Sequence, residues 1–214
     1  MGAIARATAN NITTSGVFTS SAIANSSVTG ITVLANASDG ITLISSQTAS
    51  NSASISFTSG LDSTYKAYKF VVSNIHARTN TADFTFNMST DAGSNYNVTK
   101  TTTAVRAAHQ ESDASGLEYR TAVDLAQSTA FQIFSEYSNS DADGSVSGSM
   151  LLFNPSSTTY VKHFITSSST MTADPAEYTG FIAGYCNTTS AVNAIQFKMS
   201  SGNMDGTIYL YGIK

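Results

Sequence analysis

The chain has little of what usually staples or chemically equips a small protein. Cys186 is the single cysteine among 214 residues, so neither an intrachain disulfide nor a cysteine-based zinc cluster can form. It is expected to be a small buried apolar residue at a strand end. Tryptophan is absent and proline occurs twice. Charged residues make up 11% of the chain, 14 acidic against 10 basic, for a formal charge of −4, less than half the usual charged share. No run of Lys or Arg occurs, which excludes nucleic acid as a partner, because phosphate affinity comes from clustered cations that release counterions. No apolar run approaches the roughly 18 residues of a membrane helix. The first ten residues carry neither a charged n-region nor a long apolar h-region, so neither membrane insertion nor general secretion is expected.

Hydroxyls take the place of ions. Ser and Thr account for 63 of the 214 residues, and interaction with water rests on them and on amides. Residues 1 to about 50 are the thinnest part. Their apolar side chains are small or β-branched and spaced by Thr, Ser, Asn and Gly, with Val17, Phe18, Ile23, Val28, Ile31 and Val33 as the candidate anchoring or oligomer-interface residues. Ordering a backbone costs roughly 1 to 2 kcal/mol per residue, which so little apolar bulk does not offset. Residues 1–50 are therefore expected to be an extended anchoring and oligomerisation arm that orders by adding strands to a neighbour, and residues 51–214 the folded domain.

From residue 51 the pattern becomes short strands with period two. Ile55 and Phe57 share a face, as do Phe84, Phe86 and Met88, and residues 68–73 form a nearly continuous apolar run. Asp91-Ala92-Gly93-Ser94 reads as a turn with Gly93 at positive φ, leading into residues 96–105 as the second strand of a hairpin. Further strands are expected over 119–125, 130–137, 147–153, 160–166, 178–186, 195–199 and 207–213, with 138–144, 154–157, 167–175, 187–190 and 201–206 as turn-rich separators. About ten strands and no sustained helical period predict an all-β, antiparallel two-sheet sandwich with jelly-roll-like connections and an extended N-terminal arm.

Candidate chemistry is sparse. His76, His109 and His163 fall on different elements with no ligand spacing between them. Gly144-Ser145-Val146-Ser147-Gly148 carries no nucleophile elbow, and no phosphate loop is present. Asp141 and Asp143 beside Gly144 make half of a calcium loop without its distal Glu and read as solvated turn acids. Asp113 and Glu118 suit glycoside hydrolysis only if folding sets them about 5 to 9 Å apart across a cleft. No catalytic, metal or cofactor residue is assigned. Ten tyrosines offer low-entropy contact surfaces, and Tyr96, Tyr137, Asp141 and Asp143 are the candidate receptor-contact loop residues.

Asp62-Ser63-Thr64-Tyr65 within residues 57–76, Met88 to Tyr96, Asn154-Pro155 to His163 and the terminal Tyr209-Leu210-Tyr211-Gly212 resemble structural proteins of marine, cyanophage-like tailed bacteriophages. Such chains are tail-fibre-like, knob or capsid-decorating proteins. The resemblance spans residues 43–214. It departs at Ala77 and Ala92, where similar chains carry Pro and Gly. It implies a non-enzymatic virion structural protein, made in the host cytoplasm and placed at the particle surface. It further implies partners among capsid or tail proteins, a homotrimer with copies of itself, and a role in host attachment. No cofactor is implied. The alternative is a carbohydrate-binding, lectin-like adhesin that recognises a host-surface glycan.

Overall fold

The structure is a computed structural model, and it describes residues 40–214. The six residues singled out for anchoring, Val17, Phe18, Ile23, Val28, Ile31 and Val33, lie outside the described residues. Twelve strands follow in order: β1 (Ile41–Ser52), β2 (Ile55–Phe57), β3 (Ala67–Ala77), β4 (Ala82–Ser89), β5 (Lys100–Gln110), β6 (Ser115–Tyr119), β7 (Gln132–Ser138), β8 (Val146–Phe153), β9 (Lys162–Met171), β10 (Ala176–Cys186), β11 (Ala194–Met199) and β12 (Met204–Ile213).

They form an eight-stranded sheet in the order β1-β12-β3-β8-β9-β10-β5-β6 and a four-stranded sheet in the order β2-β11-β4-β7. Every pairing is antiparallel. Eight strands make a jelly roll. First pairs with last (β1 with β12), then β2 with β11, β3 with β8 and β4 with β7, as if one long hairpin had been rolled over itself. Two hairpins are inserted into this frame. The β5–β6 hairpin leaves between β4 and β7, and the β9–β10 hairpin between β8 and β11. Together they widen the larger sheet by four strands.

The core is where the period-two pattern puts it. Phe84, Phe86 and Met88 of β4 are fully buried and share one core cluster with Phe57, Phe70, Phe134, Phe164 and Phe197 from both sheets. Phe197 stacks on Phe84 at 5.9 Å between ring centres and touches Phe57, Phe70 and Phe86, while Phe86 meets Phe164 edge-on at 5.4 Å. Edge and offset ring contacts of this kind add roughly 0.5 to 1.5 kcal/mol each beyond the area they bury.

Four expectations change. The sandwich begins at Ile41, not near residue 51: β1 pairs along its length with β12, and Ala49 enters the core. A strand so poor in large side chains is held because β12 supplies its hydrogen-bond partners and the core below it already exists. Residues 96–105 do not form a hairpin with β4; β5 starts at Lys100 and crosses to the larger sheet beside β10. The strand expected over 119–125 is β6, ending at Tyr119. Finally, the separator expected at 167–175 is largely strand, because β9 continues through Ser167-Ser168-Ser169-Thr170. Its inward hydroxyls are satisfied inside: Ser168 Oγ donates to the Phe134 carbonyl at 3.1 Å, and Thr170 Oγ1 bonds Ser135 Oγ. The turn at Asp91-Ala92-Gly93 is present, with Ala92 and Gly93 at φ 59° and 88°. Hydrogen bonds from Ser89 and Asn95 hold the Asp91 carboxyl down to about 2.

Candidate binding surface

Strand alternation sends one set of side chains from the widened half of the larger sheet into the core and the other to the outside. Along β10 the outward set is Glu177, Thr179, Phe181, Ala183 and Tyr185. Register places Ser167 and Val105 beside Phe181, Ile165 and Thr103 beside Ala183, and His163 and Thr101 beside Tyr185. Beyond β5, Tyr119 stands opposite Val105 and Leu117 opposite Ala107. The outcome is a face of apolar and hydroxyl groups in which Leu117 is 76% exposed, Ile165, Phe181 and Tyr119 each 50%, and Phe153 36%.

The face is not flat. Ala183, a small residue between Ile165 and Thr103, floors a depression of about 490 Å³ walled by Phe153, His163, Ile165, Tyr185, Thr101 and Thr103. The His163 and Tyr185 rings lie 6.1 Å apart within it. Its lining is nearly all carbon, so it suits a ring or an aliphatic group rather than an ion.

Beneath this end of the sheet lies a row of a different character. Lys162, Cys186 and Lys100 are cross-strand neighbours, all fully buried. Lys100 Nζ donates to Asn87 Oδ1 at 2.6 Å and to the Val98 carbonyl at 2.7 Å; Lys162 Nζ donates to the carbonyls of Tyr160 and Thr188. Neutral acceptors only partly replace water around an ammonium, and burial lowers Lys162 and brings Lys100 down to about 8. Burial likewise pushes the Cys186 thiol up to about 12, and its Sγ contacts Met88 Sδ at 3.0 Å. Cys186 is the buried residue at a strand end that its surroundings in sequence suggest.

On the inner face of the widened half, Arg106 of β5 lies over the Tyr178 ring, 4.1 Å from its centre, and reaches Glu118 and Glu136. Arg120 closes the cluster on Glu136 at 2.6 Å. Hydrogen bonding to Arg106 lowers the Glu118 carboxyl, the opposite of what a general acid requires. Asp113 is at the exposed β5–β6 turn beside His109 at 3.4 Å, and the two acids singled out for hydrolysis, Asp113 and Glu118, sit on a hairpin tip and a strand rather than across a cleft.

The four candidate contact residues fall at opposite ends of the sandwich. Tyr96 is half-buried in the connection from β4 to β5, where its carbonyl accepts from Asn87 Nδ2 at 2.7 Å. Tyr137 lies at the far end, on strand β7 rather than in a loop, with φ 54° and its ring edge-on to Tyr178 at 6.2 Å. Asp141 and Asp143 are exposed in the β7–β8 turn near it, where Asn139 caps Asp141 from both its amide and its carbonyl group. Among the described residues no three His, Cys, Asp or Glu side chains gather as a metal set; His76, for one, is spent on the Gly144 carbonyl at 2.7 Å.

The exposed face is built from strands rather than loops. Its signal is consecutive apolar pairs, Leu152-Phe153, Phe164-Ile165 and Phe181-Ile182, in which one member must point outward whichever way the strand is turned. The chain matches no protein-family model, no curated protein and no solved structure.

Proposed function

We propose that the chain is a non-enzymatic structural protein of a phage virion, a fibre, knob or decoration unit that displays its sandwich at the particle surface and serves host attachment. The observation that carries this reading is how the polar chemistry is spent. The ionisable groups of the interior are fastened to the frame, Arg106 and Arg120 on glutamates, Lys100 and Lys162 on carbonyl or amide oxygens, while the broad outer face is left to apolar and hydroxyl groups. A scaffold that presents a surface needs this division of labour, and the resemblance of residues 43–214 to virion proteins agrees with it. Residues 1–39, with the six candidate anchoring positions, would supply attachment to capsid or tail proteins.

The test is to purify particles from a host that carries the parent genome and to probe them with antibodies raised against the sandwich. Stoichiometric, salt-resistant labelling on capsid or tail is expected; recovery of the chain only outside particles would refute the proposal. A second reading, a glycan-binding adhesin, is favoured by the depression beside Tyr185 and His163, because a tyrosine ring stacks on a sugar face while its hydroxyl stays wet. Glycan-array binding that disappears in Tyr185→Ala would support it.

A further inference from the structure

From the outer face of the widened sheet we infer that strands β8, β9, β10, β5 and β6 form a self-association surface whose occupant is a second copy of this chain, with Phe181 of one copy entering the depression of the other. The resemblance implies self-association as a homotrimer; the inference instead places a two-fold contact between two copies on this face, and it stands on the face itself.

Three features support it. The first is area. Leu117, Tyr119, Phe181 and Ile165 lie on neighbouring strands of one face through the cross-strand register, and Phe153 joins them beside Ile165 in the lining of the depression. At 36% to 76% exposure, and with roughly 150 to 250 Å² for a whole large side chain, they present roughly 500 Å² of accessible surface. A standard interface removes about 800 Å² per partner, so these residues alone provide more than half of one side. They also reach the upper range of apolar patch that a monomer leaves to water.

The second is charge. On the outward positions of these five strands the only carboxylate is Glu177; His109 lies opposite it in register, and His163 sits at the other end. An uncharged centre lets a surface meet its own copy without like-charge repulsion, which a partner of opposite charge would not require. The centre of an interface is also where charged residues are normally depleted.

The third is shape. Phe181 projects with only Ser167 and Val105 beside it and Thr179 and Ala183 along its strand. The depression begins at Ala183, two residues on, about 7 Å away, and its carbon-lined walls accept an aromatic ring. A knob and a hole side by side on one face are what a two-fold contact needs, because each copy then gives and receives the same group.

The experiment is sedimentation velocity on the full-length chain over a hundredfold range of concentration, repeated with Phe181→Asp, Ile165→Asp and, as a control on an exposed turn far from the face, Ser201→Asp. Circular dichroism and thermal melts establish folding of each variant, which outward positions should tolerate. The expected result is concentration-dependent association of the wild type and of Ser201→Asp, weakened about 30-fold or more by either face substitution. Association untouched by both face variants would overturn the inference by placing contacts elsewhere. A wild type that stays monomeric throughout would overturn it too. None of these outcomes depends on particle incorporation, so the virion proposal stands or falls separately.

Discussion

Lys100 gives the sharpest quantitative expectation. Its ammonium is fully buried, bonded to Asn87 Oδ1 and the Val98 carbonyl, and burial brings it from an ordinary 10.5 down to about 8. Below pH 8 the folded and unfolded chains both hold the proton, and the folded state carries the full cost of a charge out of water. Between pH 8 and 10.5 the folded chain releases the proton while the unfolded chain keeps it, so the unfolded state binds more protons and stability rises with pH. The gap between the two values corresponds to about 3 kcal/mol in full, of which about 2 kcal/mol should be gained by pH 10. Cys186 opposes this trend. Its thiol ionises near 9 when unfolded and is raised to about 12 in the fold, so it contributes stability that is lost above pH 9. The informative quantity is therefore the difference between wild type and Lys100→Met, both of which keep Cys186 and Lys162. Urea unfolding at pH 7, 8, 9 and 10 should show the wild type gaining about 2 kcal/mol on the variant across the series. A difference that stays level, or that falls, would refute the argument that Lys100 enters the fold as a poorly compensated cation.

Phe197→Ala should cost about 3 to 5 kcal/mol in the same assay, since its ring touches four other phenylalanines across both sheets; a loss under about 1 kcal/mol would show that the core refills around it. Gly206→Ala should destabilise by more than about 1 kcal/mol, because φ is 118° there and a Cβ would meet the Asn74 carbonyl oxygen at 2.4 Å; chemical denaturation measures it. The Cys186 thiol should resist a disulfide reagent in the folded chain for hours at pH 8 and react fully in urea, given its complete burial and its raised value. Rapid native labelling would mean that the sheet end at β10 opens.

The strands legible in the sequence were those with bulky side chains on one face and turn residues after them. β12 alternates as the period-two reading has it, and β4 buries Phe84, Phe86 and Met88 as expected, although Thr85, Asn87 and Ser89 on its other face are buried too. Serine and threonine in a row after Thr166 signal a turn, yet β9 continues there because the interior beneath it is lined with hydroxyls and a carbonyl that accept its inward groups, and that depends on β7 lying opposite. β1 reads as part of an arm in the sequence because its strength is borrowed from β12, about 160 residues away. Of the two tyrosines expected as loop contacts, Tyr96 lies in the β4–β5 connection and the exposed Tyr137 on strand β7, at opposite ends of the sandwich, whereas the broad outer face belongs to strands.

Composition and alternation by themselves determined that this chain is an all-β sandwich solvated by hydroxyls, because period two is a local property and each strand carries it alone. Which strands became neighbours was decided only in three dimensions. The order β8-β9-β10-β5-β6 brings Phe153, Ile165, Phe181, Leu117 and Tyr119 onto one face and lines up Lys162, Cys186 and Lys100 beneath it. Cross-strand register couples residues tens of positions apart, and no local pattern encodes it.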